Sequence, residues 1–320
     1  MTVDRYVSHG VLRDWAGERV NLKRDDVTAH RAQVANLRAK LERHIADHPD
    51  YGLVKIRHSG SVAKGTALRT INDMDVAVYV KASEAPTAES QLLSWLADRL
   101  RAAYSQKAHD DFTIQHHCVT ILFHGSGLNV DVVPVIYEGE ADDIGYLITK
   151  DTGARVRTSV TQHLTFIRTR KTAQPLHFAQ TVRLLKWWVR QLKQQDEHFR
   201  FKSFMVELLC AHLADQGQSL ADYPSAVEAV LAYIVRTGLE EPISFADFDP
   251  PSEPPAGPLV IVDPVNPENN VAASYTASHR DAIVRAAHTA LDQVQEAQYA
   301  TTKGRAVECW QTLLGPLFRP

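Results

Sequence analysis

One stretch constrains this chain more than any other: Gly60-Ser61, then Asp73-Met74-Asp75, then Val76-Ala77-Val78-Tyr79-Val80. The β-branched and aromatic run at 76–80 predicts a strand. Side chains two apart in a strand share a face, so Asp73 and Asp75 project together. A second apolar run, Leu128-Asn129-Val130-Asp131-Val132-Val133-Pro134-Val135, carries a third carboxylate, Asp131. A lone Asp-x-Asp on a half-exposed strand usually marks only its wet face. A Gly-Ser turn upstream and a third acid on a second strand change that reading, because they require a sheet that gathers the three carboxylates.

Such a cluster suits a particular chemistry. Mg²⁺ prefers carboxylate oxygen, water and substrate phosphate over a closed protein cage. Paired ions about 3.5–4 Å apart stabilise both the attacking and the leaving oxygen of an in-line displacement. Two carboxylates from one strand and one from another are what two Mg²⁺ ions need beside a nucleotide's phosphates.

At 320 residues the chain is long enough for two lobes of about 100–200 residues each. Its net charge of −3 gives no general reason to expect nucleic-acid binding, so phosphate contacts must come from local clusters among the 35 Lys and Arg residues. Cys118, Cys210 and Cys309 are far apart and odd in number, which argues against a disulfide framework and fits a reducing cytosol. His116-His117-Cys118 alternates across a strand, and no second cluster supplies further ligands, so structural zinc is not expected. With no apolar signal core and no run of about 18 apolar residues, the expectation is a soluble cytoplasmic protein without membrane contact.

Residues 27–46 predict a helix capped by Asp25-Asp26, with Val34, Leu37 and Leu41 at helical spacing and His48-Pro49 closing it. A strand over 51–56, a helix over 88–104 and strands over 119–123 and 130–136 complete a mixed α/β lobe of about 150 residues. The remainder reads as helices over 160–171, 176–194, 202–214, 224–237, 278–297 and 302–314. A Pro-rich loop at 249–258, a short strand at 259–262 and a turn-rich segment at 263–270 interrupt them.

Arg183, Lys186, Arg190 and Lys193 form a basic stripe beside the apolar stripe Val182, Leu185, Val189 and Leu192. Most of these charges read as a solvated face, whereas Lys186 is the candidate cation for a triphosphate. Ser203, opening the next helix, suits either phosphate contact or a simple cap. Arg155, Arg157, Arg168, Arg170 and Lys171 form a candidate basic surface for DNA or protein, or an ordinary solvated face.

Together these segments resemble the bacterial cGAS/DncV-like nucleotidyltransferases of CBASS anti-phage systems, relatives of 2′-5′-oligoadenylate synthetase. The resemblance rests on residues 58–79, on 127–135, on Arg183-Leu184-Leu185-Lys186-Trp187-Trp188, on Lys202-Ser203-Phe204-Met205-Val206-Glu207-Leu208-Leu209 and on 262–272. It is strongest toward the clade C and D oligonucleotide cyclases. The resemblance implies an α+β, bilobal, polymerase β-like nucleotidyltransferase fold. A mixed-sheet catalytic lobe over 1–158 would carry an N-terminal helix packed on both lobes, and an oligoadenylate-synthetase-like helical lobe would occupy 159–320.

The implied activity joins NTPs, ATP above all, into a cyclic oligonucleotide such as cyclic tri-adenylate. Asp73, Asp75 and Asp131 would hold two Mg²⁺ ions, with Asp131 helping as base. Gly60, Ser61, Lys186 and Ser203 would hold the donor nucleotide. Asn266 and Asn269 would either touch a base or hold their turn, and Asn beside Pro is ordinary turn chemistry. Implied partners are a HORMA-domain protein and a TRIP13-like AAA+ ATPase. The zinc-thumb cluster of animal cGAS is missing, so DNA sensing by that route is not implied, and a DNA activator is a candidate only through the basic residues Arg155, Arg157, Arg168, Arg170 and Lys171. The alternatives are a cyclic dinucleotide or linear oligoadenylate synthase, a transferase with a tRNA or drug acceptor, or a catalytically idle scaffold that binds partners.

Overall fold

The computed structural model describes residues 5–47, 52–70, 73–83, 85, 91–149, 153–248 and 253–320. Two compact units form, one from Leu22–Thr165 and one from Met1–Asn21 with Phe166–Pro320. The chain thus divides at 21/22 and 165/166, where the sequence predicts one cut at 158/159.

The first unit is built on a seven-stranded sheet. Its strands are β1 (Leu53–Ser59), β2 (Asp73–Lys81), β3 (Phe112–Ile114), β4 (Val119–Phe123), β5 (Leu128–Tyr137), β6 (Gly145–Ile148) and β7 (Arg155–Thr158). The order is β1-β2-β5-β4-β3, with β6 paired to β5 and β7. Among the described strands of this sheet, β2 and β5 pair in parallel and the other pairings are antiparallel. Pro134 falls in the gap on one edge of β5 between its pairing with β4, which stops at Val132, and its pairing with β6 at Ile136.

Strand alternation divides the sheet's faces. Met74, Val76, Val78 and Val80 of β2 join Val130 and Val132 of β5 in a core covered by two helices. These are α2 (Arg24–Ala46), through Val34, Leu37 and Leu41, and α4 (Leu92–Ala103), through Leu93, Leu96 and Leu100. The opposite face carries Asp73 and Asp75, then Ala77 and Tyr79, in the same alternation. Apolar burial on one side therefore forces the carboxylates to the other.

Several boundaries differ from the sequence expectation. Helix α2 begins at Arg24, so Asp25 and Asp26 sit in its first turn instead of capping it. Strand β1 runs to Ser59, three residues beyond the expected end at Ile56. His48-Pro49, Tyr51, Asn72 and the start of the helix expected from 88 lie outside the described residues.

The second unit is helical. It holds α1 (His9–Arg19), most of α5 (Val160–Ala173), and α6 (His177–Gln195), α7 (Ser203–Asp215), α8 (Tyr223–Thr237), α9 (Ala277–Tyr299) and α10 (Lys303–Leu314). Helix α1 escapes prediction yet buries Leu12, Trp15 and Ala16, with Trp15 edge-on to Trp187 at 5.8 Å. The strand expected at 259–262 exists only as isolated bridges, Ile243 to Ile261 and Val262 to Asn270. Of the Pro-rich stretch, 249–252 lies outside the described residues and 253–258 is mostly exposed loop.

In helix α6 the expected solvated stripe holds at Lys193, which is exposed, but Lys186 is buried, Arg183 and Arg190 are half-buried, and burial lowers Arg183 from its ordinary value. Arg183 instead donates to Asn21 Oδ1 and Gln180 Oε1 at 2.8 and 2.9 Å. Arg170 likewise leaves the proposed basic surface. It is 5% exposed and spans Asp215 and Asp247 while lying 3.8 Å from the Phe166 ring centre.

Candidate active site

Parallel register places Asp75 opposite Asp131 and Asp73 opposite Asn129. Antiparallel neighbours extend the row, with Ser59 opposite Asp75 on one side and Thr120 opposite Asp131 on the other. Ser59, Asp75, Asp131 and Thr120 therefore cross four adjacent strands in one line, and Asp73 stands two residues along β2 on the same face. The three acids expected from the sequence are brought together by the β2–β5 pairing.

Gly60 and Ser61 open α3 (Gly60–Lys64), a five-residue helix where the sequence predicts a simple turn. Gly60 has φ +67°, and a Cβ built there would lie 1.6 Å from Asp75 Oδ2. Only glycine permits this approach of backbone to carboxylate. The helix ends on Gly65 in the left-handed region, and the Ser61 carbonyl accepts the Thr66 N–H at 2.9 Å.

Asp131 is half-buried and held from behind. Thr120 Oγ1 donates to its Oδ1 at 2.6 Å, and the Cys118 thiol is hydrogen-bonded to the same carboxylate. Burial, and after it the Asp73 charge, push the Asp131 carboxyl up from its ordinary value, and the two hydrogen bonds offset this only in part. Burial also pushes the Cys118 thiol up to about 12, with Asp131 and Asp75 adding to the effect, so the thiol stays protonated. Asp73 accepts from Asn129 Nδ2 at 3.3 Å.

Among the described residues no three His, Cys, Asp or Glu side chains are drawn together into a metal cage. The donor chemistry nonetheless fits a hard divalent cation. Asp73, Asp75 and Asp131 present carboxylate oxygens on one face, and a cation would offset the burial and the Asp73 charge that push Asp131 up.

The other three candidates belong to the helical unit. Lys186 and Glu207 are 4% and 2% exposed, and their Nζ and Oε1 atoms are 2.5 Å apart. Ser203 is the exposed first residue of α7, and the cap position belongs to Lys202, which makes no side-chain cap bond. Lys202 reaches the Val271 carbonyl at 2.8 Å. Asn266 is buried in a turn in which its Oδ1 accepts the Glu268 N–H at 3.2 Å, while Asp263 Oδ2 accepts from Asn269 Nδ2 at 3.3 Å. These bonds serve the turn.

Residues 10–165 match the model of the Second Messenger Oligonucleotide or Dinucleotide Synthetase domain. The chain is 47% identical, over 98% of both chains, to a cyclic AMP-AMP-AMP synthase of Escherichia coli strain MS 115-1. It belongs to the cGAS/DncV-like nucleotidyltransferases. Among solved structures, this family member superposes on E. coli MS115-1 CdnC with ATP at a TM-score of 0.90 and 46% identity, covering 98% of this chain and 100% of that one. The CdnC:HORMA-deltaN complex gives 0.89 and 45%, covering 98% and 99%. The bilobal nucleotidyltransferase fold and the assignment as an enzyme follow.

Sequence reasoning missed Thr120, Cys118 and Gln115 behind Asp131, and the role of Glu207 beside Lys186. Alternation does put Thr120 of β4, and Cys118 just before it, opposite the apolar Val119 and Ile121. It does not say which strand lies alongside.

Proposed function

We propose that this chain is a Mg²⁺-dependent nucleotidyltransferase that condenses ATP into cyclic tri-adenylate, a second messenger of anti-phage signalling. The cross-strand row of Asp75 and Asp131, with Asp73 on the same face, carries the reading. The similarity to a cyclic AMP-AMP-AMP synthase supports the choice of base and ring size.

In each step an acceptor 3′-hydroxyl oxygen forms a bond to a donor α-phosphorus, and the bond from that phosphorus to the bridging oxygen breaks to release pyrophosphate. The hydroxyl proton passes to Asp131. Two such steps give a linear trimer, and a third, within the trimer, closes the ring. Asp73, Asp75 and Asp131 would hold the divalent metal, two ions in this reading. When bound, it stabilises charge on the phosphate oxygens. Ser61 and Gly60 orient the donor phosphates, and Ser203 and Lys186, the latter aligned by Glu207, complete the contacts. Positioning and charge stabilisation supply most of the rate in such transfers.

The complex of CdnC with HORMA supports a HORMA-domain partner here. A TRIP13-like ATPase and a DNA activator extend the same proposal. No described helix is long and apolar enough to cross a membrane.

The test incubates the protein, alone and with its HORMA partner and DNA, with Mg²⁺ and labelled NTPs, then treats products with phosphatase and nuclease P1 before mass spectrometry. A cyclic tri-adenylate mass is expected, and Asp73→Asn with Asp75→Asn should abolish it without altering circular dichroism. Synthesis by the double variant would overturn the site, and a linear or two-base product would overturn the ring.

A further inference from the structure

The third carboxylate stands at the end of a polar chain that the transfer chemistry does not itself require. Strands β3 and β4 are joined by a tight turn in which the Gln115 N–H donates to the Cys118 carbonyl at 2.8 Å. That turn carries the Gln115 side chain over the first residues of β4, where its Nε2 donates to Thr120 Oγ1 at 2.9 Å. Thr120 lies opposite Asp131 in register and reaches its Oδ1 at 2.6 Å.

The directions in this chain are determined. A hydroxyl has one hydrogen and two lone pairs. Gln115 occupies a lone pair, so the Thr120 hydrogen is left for Asp131. An O–H···O⁻ bond of this length is of the strong, charge-assisted kind. Thr is stiff at χ1, so the hydroxyl does not wander. A carboxylate with one oxygen held in this way presents the other in a fixed direction.

We propose that Thr120 is a positioning residue for Asp131, holding Oδ1 so that Oδ2 is left to a divalent cation, with Gln115 orienting the Thr120 hydroxyl and Cys118 bracing the same carboxylate. The inference rests on the reading of Asp131 as a metal ligand. It makes the tip of the β3–β4 hairpin a support for the carboxylate of Asp131. A merely structural Thr–Asp cross-strand pair would change the melting temperature and leave metal affinity alone.

The experiment measures Mn²⁺ binding through loss of the free-ion EPR signal, in the full chain with a non-hydrolysable ATP analogue. Thr120→Val should weaken Mn²⁺ binding by about 10–100-fold, the usual effect of losing a group that orients a ligand. Thr120→Ser should bind close to wild type, and Gln115→Leu should weaken binding less than the valine does. Asp131→Asn is the control for the underlying reading. If Asp131→Asn weakens binding and Thr120→Val does not, the role of Thr120 is refuted while Asp131 stands. If Asp131→Asn binds as wild type, the ligand reading itself falls. A melting shift in Thr120→Val with unchanged Mn²⁺ affinity assigns Thr120 to stability alone. Thr120→Ala, read the same way, decides the matter if the valine variant does not fold.

Discussion

Gly60 offers a direct test of whether the backbone beside Asp75 is part of the site. Alanine at Gly60 meets two penalties. The first is conformational: φ is +67°, and an L-residue in the left-handed region costs about 1–2 kcal/mol. The second is contact, because the new Cβ would lie 1.6 Å from Asp75 Oδ2, 2.4 Å from Cγ and 2.8 Å from Cβ. The Asp75 oxygen must retreat from 1.6 Å to at least 3.0 Å, and a change of rotamer leaves the Cβ contact in place. A misplacement of about 1 Å at a reacting centre costs about 10²-fold in rate. Gly127 separates the two penalties, since its φ is +66° and a Cβ there meets nothing within 4 Å. Both alanine variants should melt lower by about 2–8 °C, at about 2–4 °C per kcal/mol for a unit of this size. Only Gly60→Ala should also lose about 100-fold or more in product formation, read by mass spectrometry of nucleotide products. Equal losses in both variants, or wild-type synthesis by Gly60→Ala, would refute the reasoning.

The buried pair of Lys186 and Glu207 gives a second expectation. Lys186→Met alone should destabilise by about 3–5 kcal/mol, because it strands a buried carboxylate, and Lys186→Met with Glu207→Leu should recover most of that in urea denaturation. Synthesis should stay lost in the double variant if Lys186 grips the donor phosphates, and its return would assign the pair to stability alone. A third concerns alkaline pH. Burial pushes Tyr79 and Tyr104 up to about 12, above the unfolded value of 10.0. Both phenols therefore favour the folded state fully below about pH 10, and that contribution is lost as pH rises toward 12. Absorbance at the tyrosinate band should show late-ionising residues, Tyr79 and Tyr104 among them, and Tyr79→Phe should remove one. Ionisation of every tyrosine near pH 10 would contradict the burial.

What the sequence determined by itself is local. Alternation in 73–80 and 128–135 placed Asp73 and Asp75 on one face and Asp131 on a second strand, because a strand's two-residue period is independent of its neighbours. The periodicity of Val34, Leu37 and Leu41, and of Leu92, Leu93, Leu96 and Leu100, announced the helices that cover the apolar side. Family motifs named the candidate residues. Tertiary structure decided what lies beside what. Parallel pairing of β2 with β5 aligned Asp75 with Asp131 across about 56 residues of chain, and β4 brought Thr120 and Cys118 behind it. The three-residue β3 is too short to show a period, and α1 has too weak an apolar stripe to stand out before Trp15 meets Trp187. The charges of α6 and α5 looked solvated because sequence records charge but not burial. Only packing showed that Lys186 belongs to Glu207, and Arg170 to Asp215 and Asp247. Register and burial are relations between distant segments, and no local pattern encodes them.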